Sequence, residues 1–494
     1  MSRRSNATFA FAAVLSVVSA CHSDVPPERQ LLDDTAAALG GATNIRALKS
    51  IAVEGEGDAP NVGQNRLPDS ELPVWKVTAY RRITDLEGNR TDMTQTRQAA
   101  FQFAGALVQR QHQAQDGDVA VNYPPNGQPA RGTAAQARDR RREALHHPLA
   151  AVRAALADGS QVTNPRQDGD NDVVDVRTSH GDVIQLAVSR ATKLPVRVSM
   201  LDAHPNLGDV VIATAFSGYE DVRGVKMPKR LTTTIDKYPQ FDLRVSKNTV
   251  DVNLGEIGAP AAVKSSPVAT PPPQVVTVEP VAKGIWRLAG SGNHRSIVFE
   301  FADHLVLFEA PLNETRSKAV IDEARKLSSK PLTHAVVSHH HFDHSGGLRV
   351  AVAEGLTIIT HKDNEAFFKD LVARPWTVQP DALAKAPKPL TLQLVDDTLT
   401  LKDAAMELQL YHLLDNAREG TNLFGYVPNG RLLVQADLYD NTWDRHLWGQ
   451  NVLDNIERRK LKVDRDIPVH GAIEPFAAMV ENIKAKPGSD YPVS

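Results

Sequence analysis

The first half of the chain has the hydrophobic pattern of an antiparallel sheet. Between residues 51 and 254, short runs of β-branched and alternating apolar residues are separated by turn residues, which is typical of paired strands. The clearest runs are residues 74–83 and 173–188, and the second has a turn at 179–181. We therefore predict an antiparallel meander, curved or closed.

Two helical patterns accompany these strands. Residues 30–50 contain a run of strong helix formers that is broken by the glycines at 40 and 41, so we expect helix on both sides of a turn. Residues 133–157 form the second pattern and carry four arginines close together. A charge run of this kind usually lies on a solvated helix face. We likewise expect the neighbouring His146 and His147 at the surface.

The pattern changes after residue 254. Residues 255–274 are rich in Pro, Ala and Ser and are predicted to form a semi-rigid, extended linker. From residue 275 onward, apolar strands alternate with helices, and three hairpin-like strands then follow one another. This mixed order favours a sandwich of two sheets with helices outside. We therefore predict an α+β protein with two domains, residues 28–254 and 275–494.

The N-terminus has the layout of an export signal. Arginines at positions 3 and 4 precede an apolar stretch, residues 9–18, which is too short to span a bilayer. The sequence VSAC that ends at Cys21 resembles the lipobox of bacterial lipoproteins. That resemblance implies that residues 1–21 are a signal peptide and that Cys21 is lipidated. The mature protein would then be a periplasmic or outer-envelope lipoprotein, held on the membrane by its N-terminal lipid. The alternative is an ordinary signal peptide with a cysteine near its cleavage site.

Composition narrows the possible chemistry. The chain has 494 residues and a formal net charge of −3, whereas a dedicated nucleic-acid-binding domain is normally strongly basic. We therefore expect no nucleic-acid partner. A single cysteine excludes an internal disulfide and a zinc site built from thiolates. Seventeen histidines remain, so any metal site would depend on imidazole and carboxylate ligands.

The densest group of candidate ligands is HHHFDH, residues 339–344. It lies between an apolar strand and a glycine-rich helix start, where an accidental histidine run is not expected. Side chains alternate along an extended segment, so His339 and His341 point the same way. Asp343 and His344 follow where the chain turns into the helix. Four potential ligands within six residues can hold a divalent metal.

At this motif the chain resembles the metallo-β-lactamase superfamily. The signature of that family is H-x-H-x-D-H, which this chain has as His339, His341, Asp343 and His344. The resemblance extends from about residue 275 to the C-terminus and implies an αββα sandwich with one or two zinc ions at one edge. It also implies that Asp437 is the metal-bridging carboxylate and that His470 is the last histidine ligand.

One position departs from the family pattern. The family has a third histidine for its first metal, and the position that aligns with it holds Arg418, which has no lone pair to offer a metal. His412 is nearby, but it shares strand parity with apolar residues and is expected in the core. Of the ligands that the resemblance implies, the first metal site therefore keeps only His339, His341 and the shared Asp437, whereas the second is complete. Arg418 would place a positive charge suited to an anionic substrate group.

The resemblance implies hydrolysis of a small molecule. A zinc-bound hydroxide would attack an ester, lactone, amide, phosphoester or sulfate, and Asp343 would bind metal and orient the nucleophile. A non-catalytic envelope lipoprotein with an incomplete metal site is the first alternative. A di-iron oxygen-reducing protein is another, although it would need further carboxylates and normally a flavin domain. The first half of the chain resembles, more distantly, the half-barrel domains of lipoprotein carriers.

The alignment at Arg418 makes a prediction about metal stoichiometry. An Arg418→His variant should gain a second equivalent of metal, because it restores the third imidazole of the first site. Elemental analysis of the purified variant beside the parent protein measures this. An unchanged stoichiometry would contradict the alignment.

Overall fold

The computed structural model describes residues 25–99, 108–125, 127–255 and 257–488. Cys21 and the expected signal peptide lie outside these ranges, so lipidation and export stay predictions. Within the described ranges, no helix combines the length and the hydropathy that a membrane span requires.

The first half consists mainly of one antiparallel sheet, as predicted. Its strands are β1 (Ser50–Pro60), β2 (Val74–Asp85), β3 (Arg90–Ala99), β4 (Val108–Asp116), β5 (Val119–Tyr123), β6 (Ala130–Arg131), β7 (Gln161–Asp168), β8 (Asn171–Arg177), β9 (Val183–Ser189), β10 (Pro195–His204), β11 (Gly208–Ser217), β12 (Glu220–Val222), β13 (Val225–Met227), β14 (Arg230–Ile235) and β15 (Tyr238–Val250). Thirteen of them form one sheet in the order β6-β5-β4-β3-β2-β1-β15-β14-β11-β10-β9-β8-β7, and β12 pairs with β13. Since the outermost strands of the described sheet, β6 and β7, do not pair with each other, the sheet is open.

Helices cover this sheet where the sequence predicted them. They are α1 (Pro27–Ala38), α2 (Ala42–Ala47), α3 (Ala134–Ala144) and α4 (Pro148–Ala155). The breaks fall at the two glycines after α1 and at residues 145–147 after α3. Apolar side chains of α1, α2 and α4, such as Leu32, Ile45 and Leu149, pack with those of the sheet in one buried core. Burial of this apolar area is what fixes the helices on the sheet.

Residues 133–157 were expected to present their charged residues and His147 to solvent. This expectation is wrong for the side of the segment that faces the sheet. Arg140 is 9% exposed and donates hydrogen bonds to the carbonyls of Ala114 and Val121. His147 is 7% exposed, and its Nδ1 accepts a hydrogen bond from the backbone of α4. Arg140, His146 and His147 all line a cavity of about 790 Å³ between α3 and the sheet. Because α3 lies over the sheet, its charged residues are divided between this cavity and solvent.

The predicted linker is partly folded. Helix α5 (Ala261–Ser265) lies within it, and Val263 is buried against Ala114 and Val121 of the sheet. The backbone N–H of Ala259 also donates to the carboxylate of Asp116. The segment therefore packs on the sheet over part of its length, because its few apolar residues are placed where they can be buried.

The second half contains two sheets. Their strands are β16 (Val276–Ala282), β17 (Ile285–Gly290), β18 (Ser296–Glu300), β19 (Leu305–Phe308), β20 (Leu332–Val336), β21 (Thr357–His361), β22 (Leu392–Val395), β23 (Thr398–Lys402), β24 (Glu407–His412), β25 (Leu423–Val427), β26 (Leu432–Gln435), β27 (Arg465–Pro468) and β28 (Glu474–Pro475). The first sheet runs in order from β16 to β22 and the second from β23 to β28. Strands β19 to β22 are parallel to one another, as are β26 and β27.

Helices lie on the outer faces of both sheets. They are α6 (Glu314–Ala324), α7 (Phe342–Ser345), α8 (Leu348–Ala353), α9 (Glu365–Ala373), α10 (Ala382–Lys385), α11 (Gly449–Arg458) and α12 (Phe476–Ala485), with a 3₁₀ turn at Lys362–Asn364. The inner faces of the sheets share one core that includes Phe299, Val336 and Leu408. Two further cores lie under α6, α8 and α9 and under α11 and α12. This is the predicted αββα sandwich.

The two halves pack against each other. Leu207, Val210 and Ile235 of the first half belong to the core beneath α6 and α8. Arg374 pairs with Asp236 across the same boundary. The first half is therefore positioned by buried apolar contacts and an ion pair, in addition to the covalent connection.

Burial of His147 predicts a pH-dependent stability. Burial lowers the pKa of His147 to about 3, against about 6.5 in an unfolded chain. Below pH 6.5 the unfolded state therefore binds the extra proton, and the free energy of unfolding falls as the pH falls. Between pH 7 and 5 this contribution is about 2 kcal/mol. A His147→Asn variant keeps an N-cap acceptor but does not titrate.

Urea denaturation at pH 7, 6 and 5 measures the effect. We expect the variant to lose about 2 kcal/mol less than the parent over this range. The exposed His180 provides the control, since His180→Asn should leave the pH dependence unchanged. Parallel curves for His147→Asn and the parent protein would contradict the prediction.

Candidate metal centre

The structure brings the six predicted ligands together at one edge of the sandwich. His339 follows strand β20 by three residues, and His341 directly precedes α7. Asp437 and His470 each lie two residues beyond the parallel strands β26 and β27. The carboxyl ends of parallel strands meet at the same edge of a sheet, where α/β proteins commonly bind ligands.

One group consists of Asp343, His344, Asp437 and His470, each of which offers a ligand atom within 4.8 Å of all the others. The Nε2 atoms of His344 and His470 are 3.2 Å apart, and each lies 2.8 Å from Asp437 Oδ1. Ligand atoms of a tetrahedral zinc ion are separated by about 3.3 Å. These four side chains are therefore arranged as ligands of a common ion would be. We name them the second group, because the family resemblance assigns them to the second metal site.

A first group consists of His339, His341, Glu419 and Asp437. His339 Nε2 and His341 Nδ1 each lie 3.7 Å from an oxygen of Glu419. Both nitrogens are buried, and neither has a hydrogen-bond partner among the described residues. The sequence indicates only two histidines and Asp437 at this position, because the residue that aligns with the family histidine is Arg418. The structure places the carboxylate of the next residue there.

The imidazoles are fixed by contacts on their outer sides. The nitrogen that faces away from the ligand groups is engaged in three of them: His341 Nε2 donates to the carbonyl of Asn65 (2.8 Å), His470 Nδ1 donates to that of Asn293 (2.7 Å), and His339 Nδ1 lies 2.9 Å from Ser338 Oγ. A carbonyl can only accept, so in the neutral imidazoles of His341 and His470 the lone pair is on the other nitrogen, the one that faces the ligand groups. Such outer contacts set the tautomer and orientation of metal-binding histidines.

Glu309 faces the outer nitrogen of His344 at ion-pair distance. Its carboxylate is fully buried at the end of β19 and lies 3.3 Å from His344 Nδ1. Its other oxygen accepts the backbone N–H of Ser338. Glu309 was not among the predicted site residues. Its place directly after the apolar strand β19 is the signal in the sequence that could have indicated it.

Burial and mutual repulsion make this cluster unfavourable without a cation. Burial would lower the pKa of His344, but neighbouring carboxylates, Asp437 foremost, raise it well above its usual range. Burial opposes ionisation of Asp437, yet His344 and His470 hold its pKa well below the usual value. Burial and then Asp437 raise the pKa of Glu419 to about 8. A bound divalent ion would relieve this accumulation of negative charge. The donor set of imidazole nitrogens and carboxylate oxygens is one that zinc accepts, so the residues fit the metal.

The backbone at Asp437 is strained. Its φ angle is +62°, in the left-handed region that residues other than glycine rarely adopt. Strained residues of this kind cluster at functional sites, where the surrounding structure holds them.

Arg418 is turned toward the carboxylates of the site. Its Nε is 2.8 Å from Glu419 Oε1, and its Nη2 donates to Asp437 Oδ2 and Gln64 Oε1, both at 3.0 Å. The side chain is 9% exposed. Its guanidinium is therefore engaged by the protein itself, and binding of an anionic substrate by Arg418 stays a prediction.

A loop of the first half forms part of the centre. We name residues 61–73, which connect β1 and β2, the strap. Gln64 of the strap donates from Nε2 to Asp343 Oδ1 (2.9 Å) and accepts the hydrogen bond of Arg418. Gly63 lies so close to Phe342 that an added Cβ would be 2.2 Å from its ring. The strap therefore depends on a glycine to approach the metal-binding motif.

His294 was also missed by sequence analysis. It lies in the loop between β17 and β18, with its Nε2 3.3 Å from Asp343 Oδ2. Its ring is edge-on to that of His470, with the centroids 4.6 Å apart. The side chain is 21% exposed, so it lies between the second group and solvent. As a lone histidine in a loop, it carried no pattern in the sequence.

Comparisons with known proteins agree with the histidine motif. Residues 289–434 match the family model of the metallo-β-lactamase superfamily, which confirms the resemblance for this stretch and the fold class of the second half. The carrier-like resemblance of the first half stays a prediction. No curated protein matches the chain.

Several solved structures are similar to part of the chain. A metallo-β-lactamase from Pontibacter korlensis shares 14% identity over 42% of this chain and 98% of its own, with a TM-score of 0.34. The metallo-β-lactamase FIM-1 from Pseudomonas aeruginosa, in its mono-zinc form, shares 16% sequence identity over 43% of this chain and 96% of its own, with a TM-score of 0.35. A metallo-β-lactamase from Hirschia baltica shares 13% sequence identity over 43% of this chain and 99% of its own, with a TM-score of 0.33.

The contacts of Gln64 predict a loss of metal affinity on substitution. A Gln64→Ala variant removes hydrogen bonds to Asp343 and Arg418, and loss of such outer contacts typically weakens metal binding about 10- to 100-fold. Competition with a chromophoric chelator measures the affinity. Glu71→Ala is the control, because Glu71 is an exposed residue of the same strap. Equal affinities in the two variants would refute a role for Gln64.

Proposed function

We propose that the second half is a zinc-dependent hydrolase. The observation that carries this proposal is the second group, in which four ligand atoms from Asp343, His344, Asp437 and His470 converge in a largely buried position. The superfamily match over residues 289–434 supports it, since members of that family are generally hydrolases.

The four side chains of the second group would hold the ion. Zinc in such a site lowers the pKa of water to about 7 and polarises the bond that is cleaved. The protein supplies the geometry. Glu309 and the carbonyl of Asn293 keep the Nε2 atoms of His344 and His470 turned toward the ion position.

Asp343 would orient the nucleophile. Gln64 holds its Oδ1, while its Oδ2 faces His294 and His344. A carboxylate fixed at both oxygens keeps one orientation, so a water molecule that donates to it is aligned as well. His294 would restrict rotation of this carboxylate on the solvent side.

A non-catalytic relative is the competing interpretation. It depended on a first metal position without a third ligand. The carboxylate of Glu419 in that position weighs against it, because a decaying site has no reason to retain a substitute ligand. We therefore keep small-molecule hydrolysis as the proposal, with esters, lactones, amides, phosphoesters and sulfates as candidate substrates.

Hydrolysis assays with controlled metal content test the proposal. The zinc-loaded protein should cleave at least one class among these substrates, lose the activity on chelation and regain it with zinc. Asp343→Asn should lower kcat at least about 100-fold, since it removes a charged group that orients the nucleophile. Asp370→Asn, an exposed substitution on α9, should leave kcat unchanged. Zinc-loaded protein that cleaves none of the substrates would favour the non-catalytic interpretation.

A further inference from the structure

We infer that the first group is a second metal site in its own right, in which Glu419 takes the ligand position that a histidine has in the family. The protein would then bind two ions that share Asp437. The inference rests on the proposed function, because Asp437 belongs to both groups.

The imidazoles of His339 and His341 have the geometry of ligands of a common ion. His339 and His341 are fully buried, and their ring centroids lie 4.5 Å apart. The two nitrogens without partners, His339 Nε2 and His341 Nδ1, face different oxygens of one carboxylate, each at 3.7 Å. Neighbouring ligands of a four-coordinate ion have separations only slightly shorter than this. The three side chains therefore surround a common point, as ligands do.

The loop before β25 fixes the position of Glu419. Asn416 Oδ1 accepts the backbone N–H groups of both Arg418 and Glu419, which forms a tight turn. Asn422 donates from Nδ2 to the Glu419 carboxylate and, at 2.9 Å, to the carbonyl of Ala436. These contacts fix Glu419 with its carboxylate toward the histidines. The two oxygens that face the histidines are themselves contacted by Asn422 and Arg418, so the orientation of this buried carboxylate is fixed.

The strap, which belongs to the first half of the chain, fixes the orientation of His341. His341 can offer Nδ1 only if its proton is on Nε2, and the carbonyl of Asn65 accepts that proton's hydrogen bond. Asn65 is 4% exposed, and its side chain donates to the carbonyls of Leu67 and Ser70. Asn65 is therefore a positioning residue for the first ion, although it lies far from the motif in sequence.

A simpler role for Glu419 is to pair with Arg418. Arg418, however, also binds Asp437 and Gln64, so it has other acceptors. The ion pair alone would leave two buried imidazole nitrogens without partners, which is costly in a folded protein. A metal ion uses both nitrogens and the carboxylate. Each position then has two imidazoles and two carboxylates, a set suited to zinc and to other borderline divalent ions.

Anomalous X-ray diffraction at the zinc edge locates the ions directly. Crystals of the wild-type protein grown with zinc should show two peaks, one of them between His339, His341 and Glu419. Elemental analysis should give two equivalents. Glu419→Gln should weaken binding of one equivalent at least 10-fold in chelator competition. Glu457→Gln, an exposed substitution on α11, should change neither value.

The outcomes separate this inference from the proposed function. A single peak within the second group, with Glu419 paired to Arg418, would overturn the inference and leave the hydrolase proposal standing. No peak in either group would overturn both. The wild-type map decides the question even if Glu419→Gln fails to fold.

The Arg418→His variant provides an independent check. If Glu419 completes the first site, the parent protein already holds two equivalents and the variant should still hold two. A gain from one equivalent to two would instead support the sequence-based expectation and refute the role of Glu419.

Discussion

Asp437 places a buried carboxylate between two pairs of histidines, and the arrangement of the centre depends on it. One of its oxygens lies 2.8 Å from both His344 and His470, while the other accepts the hydrogen bond of Arg418. A charge in this position is stable only when cationic groups or metal surround it. The strained backbone at Asp437 and the buried Glu309 on the opposite side of His344 are consistent with a cluster that is stabilised as a unit.

The sandwich supplies the rigid support for this cluster. Strands β20, β26 and β27 each end shortly before a ligand, so the apolar core between the sheets determines where the ligands lie. Loops alone would position them less precisely. Helix α7 and the turn after Asn416 then add the ligands that do not follow a strand directly.

Much of this centre was predictable because it follows local rules. Alternation along an extended segment placed His339 and His341 on one side. Asp437 and His470 were expected only because the family resemblance implies a ligand at each of these positions. Glu419 was not predictable, since its direction depends on the turn at Asn416 and on Asn422. Gln64 and Asn65 lie almost 280 residues before the motif, in a loop without a hydrophobic pattern. His147 was misplaced for a related reason: local charge does not reveal that a helix covers a cavity.

The strap changes what counts as the functional unit of this chain. The region that matches the family begins at residue 289, and a protein shortened to the second half would keep all seven candidate ligand side chains of the two groups. It would lose the carbonyl that sets the tautomer of His341 and the amide that spans Asp343 and Arg418. The boundary of the fold and the boundary of the metal centre are therefore different, and the centre includes a loop anchored in the neighbouring sheet.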